Sequence, residues 1–193
     1  MLYFANEIAS QVLDLKHFFL IIINIWPYNK SVDFIKEVPM KGDKEVIRHF
    51  NNILTNELTA INQYFLHSRM FKDWGYEKLG SKEYEESIDE MKHADKLIER
   101  ILFLDGIPNV QEMHKIMIGE EPVECLKCDF QIEVKAIPDL KEAIQYCEKV
   151  SDFVSRDILR EILDSEEEHY DWLETQIELA DKIGRENWLQ SQM

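Results

Sequence analysis

From Asp43 onwards, apolar and polar positions follow the period of an α-helix. Val46, Phe50, Ile53, Leu54, Ile61, Tyr64 and Phe65 recur at steps dominated by three and four, the spacing that lines up side chains on one helical face. The pattern predicts a first helix capped by Asp43 and running to about Trp74. Gly75 and Gly80 bracket a predicted turn, Ser81 caps a second helix to about Leu104, and Asp105-Gly106-Ile107-Pro108 stops it. Residues 106–121 carry no clear period. At about 3.3 Å per residue when extended, they can run the full length of a bundle of roughly 28-residue helices, which is about 40 Å. A tight hairpin needs no such length, so the second and third helices are predicted to run parallel, joined by one long crossover. Pro122 opens the third helix, and Pro138 is expected to kink it rather than break it. A fourth helix from Ser151 to Ile183 ends at Gly184, and Glu186 to Gln192 forms a short fifth. The prediction is an all-α four-helix bundle with no low-complexity linker in residues 40–193.

Residues 1–39 read differently. Phe, Ile, Asn, Lys and Tyr fill 18 of these 39 positions, against 46 of the 154 that follow. The apolar run Phe18 to Trp26 is shorter than the roughly 18–20 residues that span a bilayer. Its flank is not strongly basic and no small-residue cleavage site follows, which argues against an anchor or a signal peptide. The enriched residue types use AT-rich codons, and Lys36-Glu37-Val38 can be encoded by a ribosome-binding sequence just before Met40. Residues 1–39 are therefore expected to be upstream sequence read in frame, with Met40 as the start; the alternative is a genuine extension. The intact mass of the natively expressed protein decides, and a product beginning at Met1 contradicts this reading.

The net charge is −16, of which residues 1–39 contribute −1. Nucleic-acid partners, whose phosphates call for Lys and Arg, are disfavoured, whereas cations are attracted. Cys125, Cys128 and Cys147 form an odd set without a secretory signature, as expected of reduced thiols in a cytoplasm. Cys125-x-x-Cys128 is half of a zinc or rubredoxin-type site with no second half, and reads better as two helical thiols one turn apart.

The chemistry lies in a repeat. Glu90-Met91-Lys92-His93 and Glu166-Glu167-Glu168-His169 each place a carboxylate and an imidazole three residues apart, hence on one helical face. Glu57 precedes Glu90 by 33 residues, and Glu133 precedes Glu166 by 33. Two copies of Glu followed by Glu-x-x-His supply four carboxylates and two imidazoles, the donor set of a two-metal site inside a four-helix bundle. A solvated acidic face would not require the equal spacing. Such donors suit iron, manganese or zinc. On this reading Glu90 and Glu166 bridge, while Glu57 with His93, and Glu133 with His169, each hold one metal. Tyr64, two turns after Glu57, is either part of the site or a core aromatic; Trp172 reads as packing. His49, His67 and His114 lack a partnered spacing and read as structural or surface histidines.

From Met40 on, the chain resembles the bacterioferritins, the haem-containing bacterial ferritins. The resemblance is carried by Met40-Lys41-Gly42-Asp43, Asn56-Glu57-Leu58-Thr59-Ala60-Ile61-Asn62-Gln63-Tyr64-Phe65-Leu66-His67, Glu86-Ser87-Ile88-Asp89-Glu90-Met91-Lys92-His93-Ala94-Asp95 and His169-Tyr170-Asp171-Trp172-Leu173-Glu174. It covers essentially all of residues 40–193 and none of 1–39. It implies a ferritin-like bundle and a cytoplasmic shell of 24 subunits built from twofold dimers. It further implies two iron ions per subunit as the ferroxidase centre, oxidation of Fe(II) by dioxygen or hydrogen peroxide, a stored ferric mineral core and a ferredoxin electron donor. All six family positions are filled, at Glu57, Glu90, His93, Glu133, Glu166 and His169. One position departs: Glu85 stands where some members carry His beside Asp89, an extra inner-surface iron site, so iron handling between site and cavity is expected to differ.

Met91 points about 100° away from Glu90 on the helix, so it faces sideways, with Tyr84 and Ile98 on the same stripe and Leu58 and Phe65 on a matching stripe of the first helix. A lateral apolar face implies a subunit partner, and a twofold contact brings Met91 against its own copy. By itself this reads as interface filler. With the resemblance, two thioethers across the axis are expected to ligate haem b, one per subunit pair. A competing class is a di-metal oxygen- or peroxide-activating enzyme of the rubrerythrin or manganese catalase type, although a rubrerythrin wants a second Cys-x-x-Cys pair. A third is a shell or haem electron carrier with an idle centre, which a missing ligand would favour.

Overall fold

A computed structural model describes residues 42–193, so the expectations for residues 1–39 and the start at Met40 lie outside the described residues. Five helices follow in order: α1 Lys44–Asp73, α2 Glu77–Phe103, α3 Pro122–Lys149, α4 Phe153–Ile183 and α5 Arg185–Ser191. The predicted starts of the first and third helices hold. The Asp43 carboxylate accepts from the backbone N–H of Glu45 and Val46, and Pro122 sits in the first turn of α3 behind the capping Glu121. Two predicted starts shift. Helix α2 begins at Glu77 rather than Ser81, so only Gly75, at φ 86°, belongs to the turn. Gly80 lies inside α2 because the helix crosses α1 there: a Cβ would meet Lys72 Cγ at 2.5 Å and the Ser68 carbonyl oxygen at 2.9 Å. Helix α4 begins after Asp152, whose carboxylate accepts from the Ser155 N–H, while Ser151 takes a positive φ of 61°. Helix α3 runs unbroken through Pro138.

Helix α1 packs along α2, α3 packs along α4, and the two pairs meet mainly through α1 and α3. The Gly42 N–H donates to the Leu104 carbonyl at 3.0 Å, placing the end of α2 beside the start of α1. Residues 106–121 then climb alongside α1. The Asn109 N–H donates to Asn51 Oδ1 (2.6 Å), His114 N–H to Thr59 Oγ1 (2.9 Å), Met117 N–H to Gln63 Oε1 (2.8 Å) and Gly119 N–H to His67 Nε2 (3.2 Å). These acceptors stand at multiples of four residues on α1, so one helical stripe satisfies the backbone of the crossover, which buried peptide groups require. Helix α3 therefore starts at the far end of α1 and runs parallel to α2, as predicted.

Two large apolar clusters fill the bundle, beside a small one of Ala60, Tyr64 and Ile132. One gathers Phe50, Leu54, Leu97, Leu140 and Leu159; the other gathers Phe71, Leu79, Leu126, Leu173 and Trp188, the last carried by α5. By their place along the helices, a layer of buried polar side chains lies between them. No helix among the described residues is long and apolar enough to cross a membrane.

Candidate metal centre

The polar layer contains Glu57 on α1, Glu90 and His93 on α2, Glu133 on α3, and Glu166 and His169 on α4, each no more than 7% exposed. The apolar positions that flank them in sequence pack the helices together. The three-residue step then turns each carboxylate and its imidazole inward on a shared face. Donor atoms of Glu57, Glu90, His93 and Glu166 all lie within 4.8 Å of one another, and so do those of Glu90, Glu133 and His169. Glu90 belongs to both groups. His93 Nδ1 is 3.0 Å from Glu90 Oε2, 3.2 Å from Glu166 Oε1 and 3.3 Å from Glu57 Oε2. His169 Nδ1 is 3.0 Å from Glu133 Oε1. A small cavity beside them is lined by all four carboxylate residues together with Asn56, Ala60, Ile132 and Ala136.

Burial raises the proton affinity of Glu57, and the Glu166 charge adds to it; burial likewise raises Glu90, helped by Glu57, and Glu166, helped by Glu90 and Glu133. For His93 burial works downward, but hydrogen bonding to Glu166, Glu57 and Glu90 outweighs it and pushes the imidazole up to about 12. Burial opposes the charge of His169 too, yet Glu133 holds it up at about 10. Glu133 is the exception among the carboxyls: burial alone would raise it, and the His169 imidazolium pulls it down. Like charges crowd one site and keep protons there that cations could replace.

Glu133 Oε2 and His169 Nε2 are buried without a partner, and Glu57 Oε2 and Glu166 Oε1 have only the His93 imidazole, at 3.3 and 3.2 Å. Buried polar atoms seldom lack partners, and unpaired carboxylate oxygens facing one another fit a divalent cation.

Tyr64 resolves toward the site. It is fully buried, its hydroxyl donates to Glu133 Oε1, and its ring meets that of His169 edge-on at 5.1 Å. Trp172 stacks on His169 at 6.1 Å. His67 is structural: Gly119 N–H donates to Nε2, so the proton of the neutral ring sits on Nδ1 and goes to Asp129, 2.7 Å away. His49 is buried and His114 exposed. Cys125 and Cys128 are free thiols one turn apart on α3. Met91 is 44% exposed; Tyr84 and Phe65 are exposed as well, their rings 6.3 Å apart. The sequence reading passed over Asp129, which also accepts from Gln63, and Glu83, fully buried with neither oxygen bonded. Glu83 stands seven residues before Glu90, two turns along the same face, but outside the duplicated Glu-x-x-His spacing.

The ferritin-like domain family matches residues 47–183. The chain is similar to a bacterioferritin of Rhodobacter capsulatus, 50% identical over 145 residues that cover 75% of this chain and 90% of the relative. A bacterioferritin of Brucella melitensis is 48% identical over 149 residues, 77% and 92% of the two chains. A bacterial ferritin of Synechocystis is 48% identical over 155 residues, 80% and 99%. The chain belongs to the bacterioferritin family of ferritin-like proteins.

Proposed function

We propose that the protein stores iron by oxidising Fe(II) at the centre formed by Glu57, Glu90, His93, Glu133, Glu166 and His169, inside a hollow shell of 24 such chains. Iron storage is supported by the family; the oxidising centre is supported by one observation, the two donor groups that share Glu90. Two ferrous ions side by side together supply two electrons, enough to reduce dioxygen to hydrogen peroxide, or hydrogen peroxide to water. The chain's part is to hold the ions close, to neutralise them with carboxylates and to yield protons as they bind. Tyr64 fixes the orientation of Glu133 through its hydroxyl. Ferric product passes to a mineral core. The test is aerobic addition of Fe(II) to the purified protein, read as ferric absorbance and particle size. Rapid oxidation into soluble, iron-filled particles of shell dimensions supports the reading, and oxidation no faster than in buffer contradicts it.

Met91 fits a haem. Its side chain is exposed, as are those of Tyr84 and Phe65, and a twofold partner would bring a second Met91 to the same iron. Haem b there supplies one-electron transfer, for reducing and releasing stored iron with a ferredoxin as donor. Met91→Leu is expected to keep the assembly and Fe(II) oxidation and to lose the haem absorption band. Stoichiometric haem in that variant would exclude Met91 as the ligand.

A further inference from the structure

We infer that Glu83 is a positioning residue for His169, its buried carboxylate taking the Nε2–H of the imidazole so that Nδ1 is presented to the metal. The inference rests on the metal-centre reading above. His169 Nδ1 is the nitrogen on the carboxylate side, 3.0 Å from Glu133 Oε1. The ring plane is held between Tyr64, edge-on at 5.1 Å, and Trp172, stacked at 6.1 Å. Nε2 is buried and unpartnered. To ligate through Nδ1 the ring must be neutral, with its one proton on Nε2, and a buried N–H without an acceptor is costly.

Glu83 supplies what is missing. It is fully buried, and among the described residues it alone has both carboxylate oxygens enclosed without a hydrogen-bond partner. Helix α2 brings its turn against the right turn of α4: Lys82 Nζ lies over the Trp172 ring at 5.4 Å. Other candidate partners near Glu83 are already engaged. Lys82 pairs with Glu86, His67 and Gln63 with Asp129, and the Cys125 thiol donates to the Gly119 carbonyl. A ligating imidazole ordinarily gives its second N–H to a carboxylate, which fixes the tautomer and strengthens the donor.

The test is Co(II) titration of the metal-free full chain, followed by cobalt absorption bands and calorimetry. Wild type is expected to fill two positions. Glu83→Leu is expected to weaken one of them by about 10–100-fold and leave the other unchanged. Glu83→Gln, whose amide oxygen still accepts but carries no charge, should fall between. In a His169→Ala background, Glu83→Leu should cost nothing more, since coupled residues fail to add. Melting of metal-free Glu83→Leu should not drop, because leucine fills the volume and removes a buried carboxyl without a partner; a purely structural role predicts a drop. Unchanged affinity in Glu83→Leu, equal weakening at both positions, or a further loss in the His169→Ala background overturns the inference while the metal centre stands. A wild type that binds no cobalt overturns the metal centre itself.

Discussion

Glu90→Ala is expected to slow the fast phase of Fe(II) oxidation by at least about a hundredfold while the helical fold survives. Glu90 is common to both donor groups, so its removal takes a ligand from each position. Replacing a residue that merely supports a ligand already costs about 10–100-fold in metal affinity or activity, and loss of a shared ligand should cost no less. The fold survives because Phe50, Leu97, Leu126 and Leu173 are fully buried on either side of the centre, each contributing about 1.5–3 kcal/mol. What disappears is stabilisation by metal, about 2.7 kcal/mol at a hundredfold excess over Kd, or roughly 5–10 °C in melting temperature for a domain of this size. Stopped-flow absorbance, with circular dichroism as the control, reads both. Glu57→Ala and His93→Ala each remove a donor from one position only, and should lose the fast phase while keeping one metal. A wild-type fast phase in Glu90→Ala would place the chemistry elsewhere.

The metal-free protein is expected to lose stability as the pH rises from the carboxylate range toward neutrality. Glu57, Glu83, Glu90 and Glu166 are all held above their ordinary value of 4.5, first by burial and then by one another or by Asp129. A carboxyl whose folded-state pKa is raised contributes stability that is complete below the unfolded value and lost as the pH climbs through the folded one. His93 and His169 act in the same sense at higher pH, their contributions complete below 6.5 and lost only toward about 12 and about 10. Glu133, held low, works oppositely: its contribution is present above 4.5 and lost in acid. Four groups against one set the sign between about pH 5 and 8. Metal reverses it, because ligands must shed protons to bind, so binding tightens as the pH rises. Thermal unfolding with and without Co(II) should show a gap that widens with pH, accompanied by proton release on loading. A gap independent of pH would mean that the metal does not replace those protons.

The bundle was legible because its signals are local. Apolar periodicity marks four helices, Asp43 and Pro122 mark two starts, and the aperiodic stretch before Pro122 requires a crossover. The clustering of the six side chains was legible because a duplicated spacing projects them into one layer. What stayed hidden depends on packing between helices. Gly80 has the look of a turn residue, yet it sits where α2 touches α1, with Lys72 and Ser68 in the space of a Cβ. Ser151 has the look of a cap, yet Asp152 binds the Ser155 N–H and also takes Arg100 at 2.7 Å. Asp129 and Glu83 resemble any other acid of an acidic chain until their burial is known. His67 is unremarkable in sequence because its partners, Asp129 and Gly119, are 62 and 52 residues away. Of the lateral stripe read from helical angles, Met91, Tyr84 and Phe65 emerge exposed, whereas Ile98 and Leu58 are half-buried against the core.

The most direct test of the account is the position of bound metal in the protein loaded with Fe(II) or Co(II), located by anomalous scattering from crystals. Two metal ions per chain are expected within the bundle, one among Glu57, Glu90, His93 and Glu166 and the other among Glu90, Glu133 and His169, with Glu90 between them. A single ion, or metal bound only at surface carboxylates such as Glu85 and Asp89 with the interior empty, would contradict it.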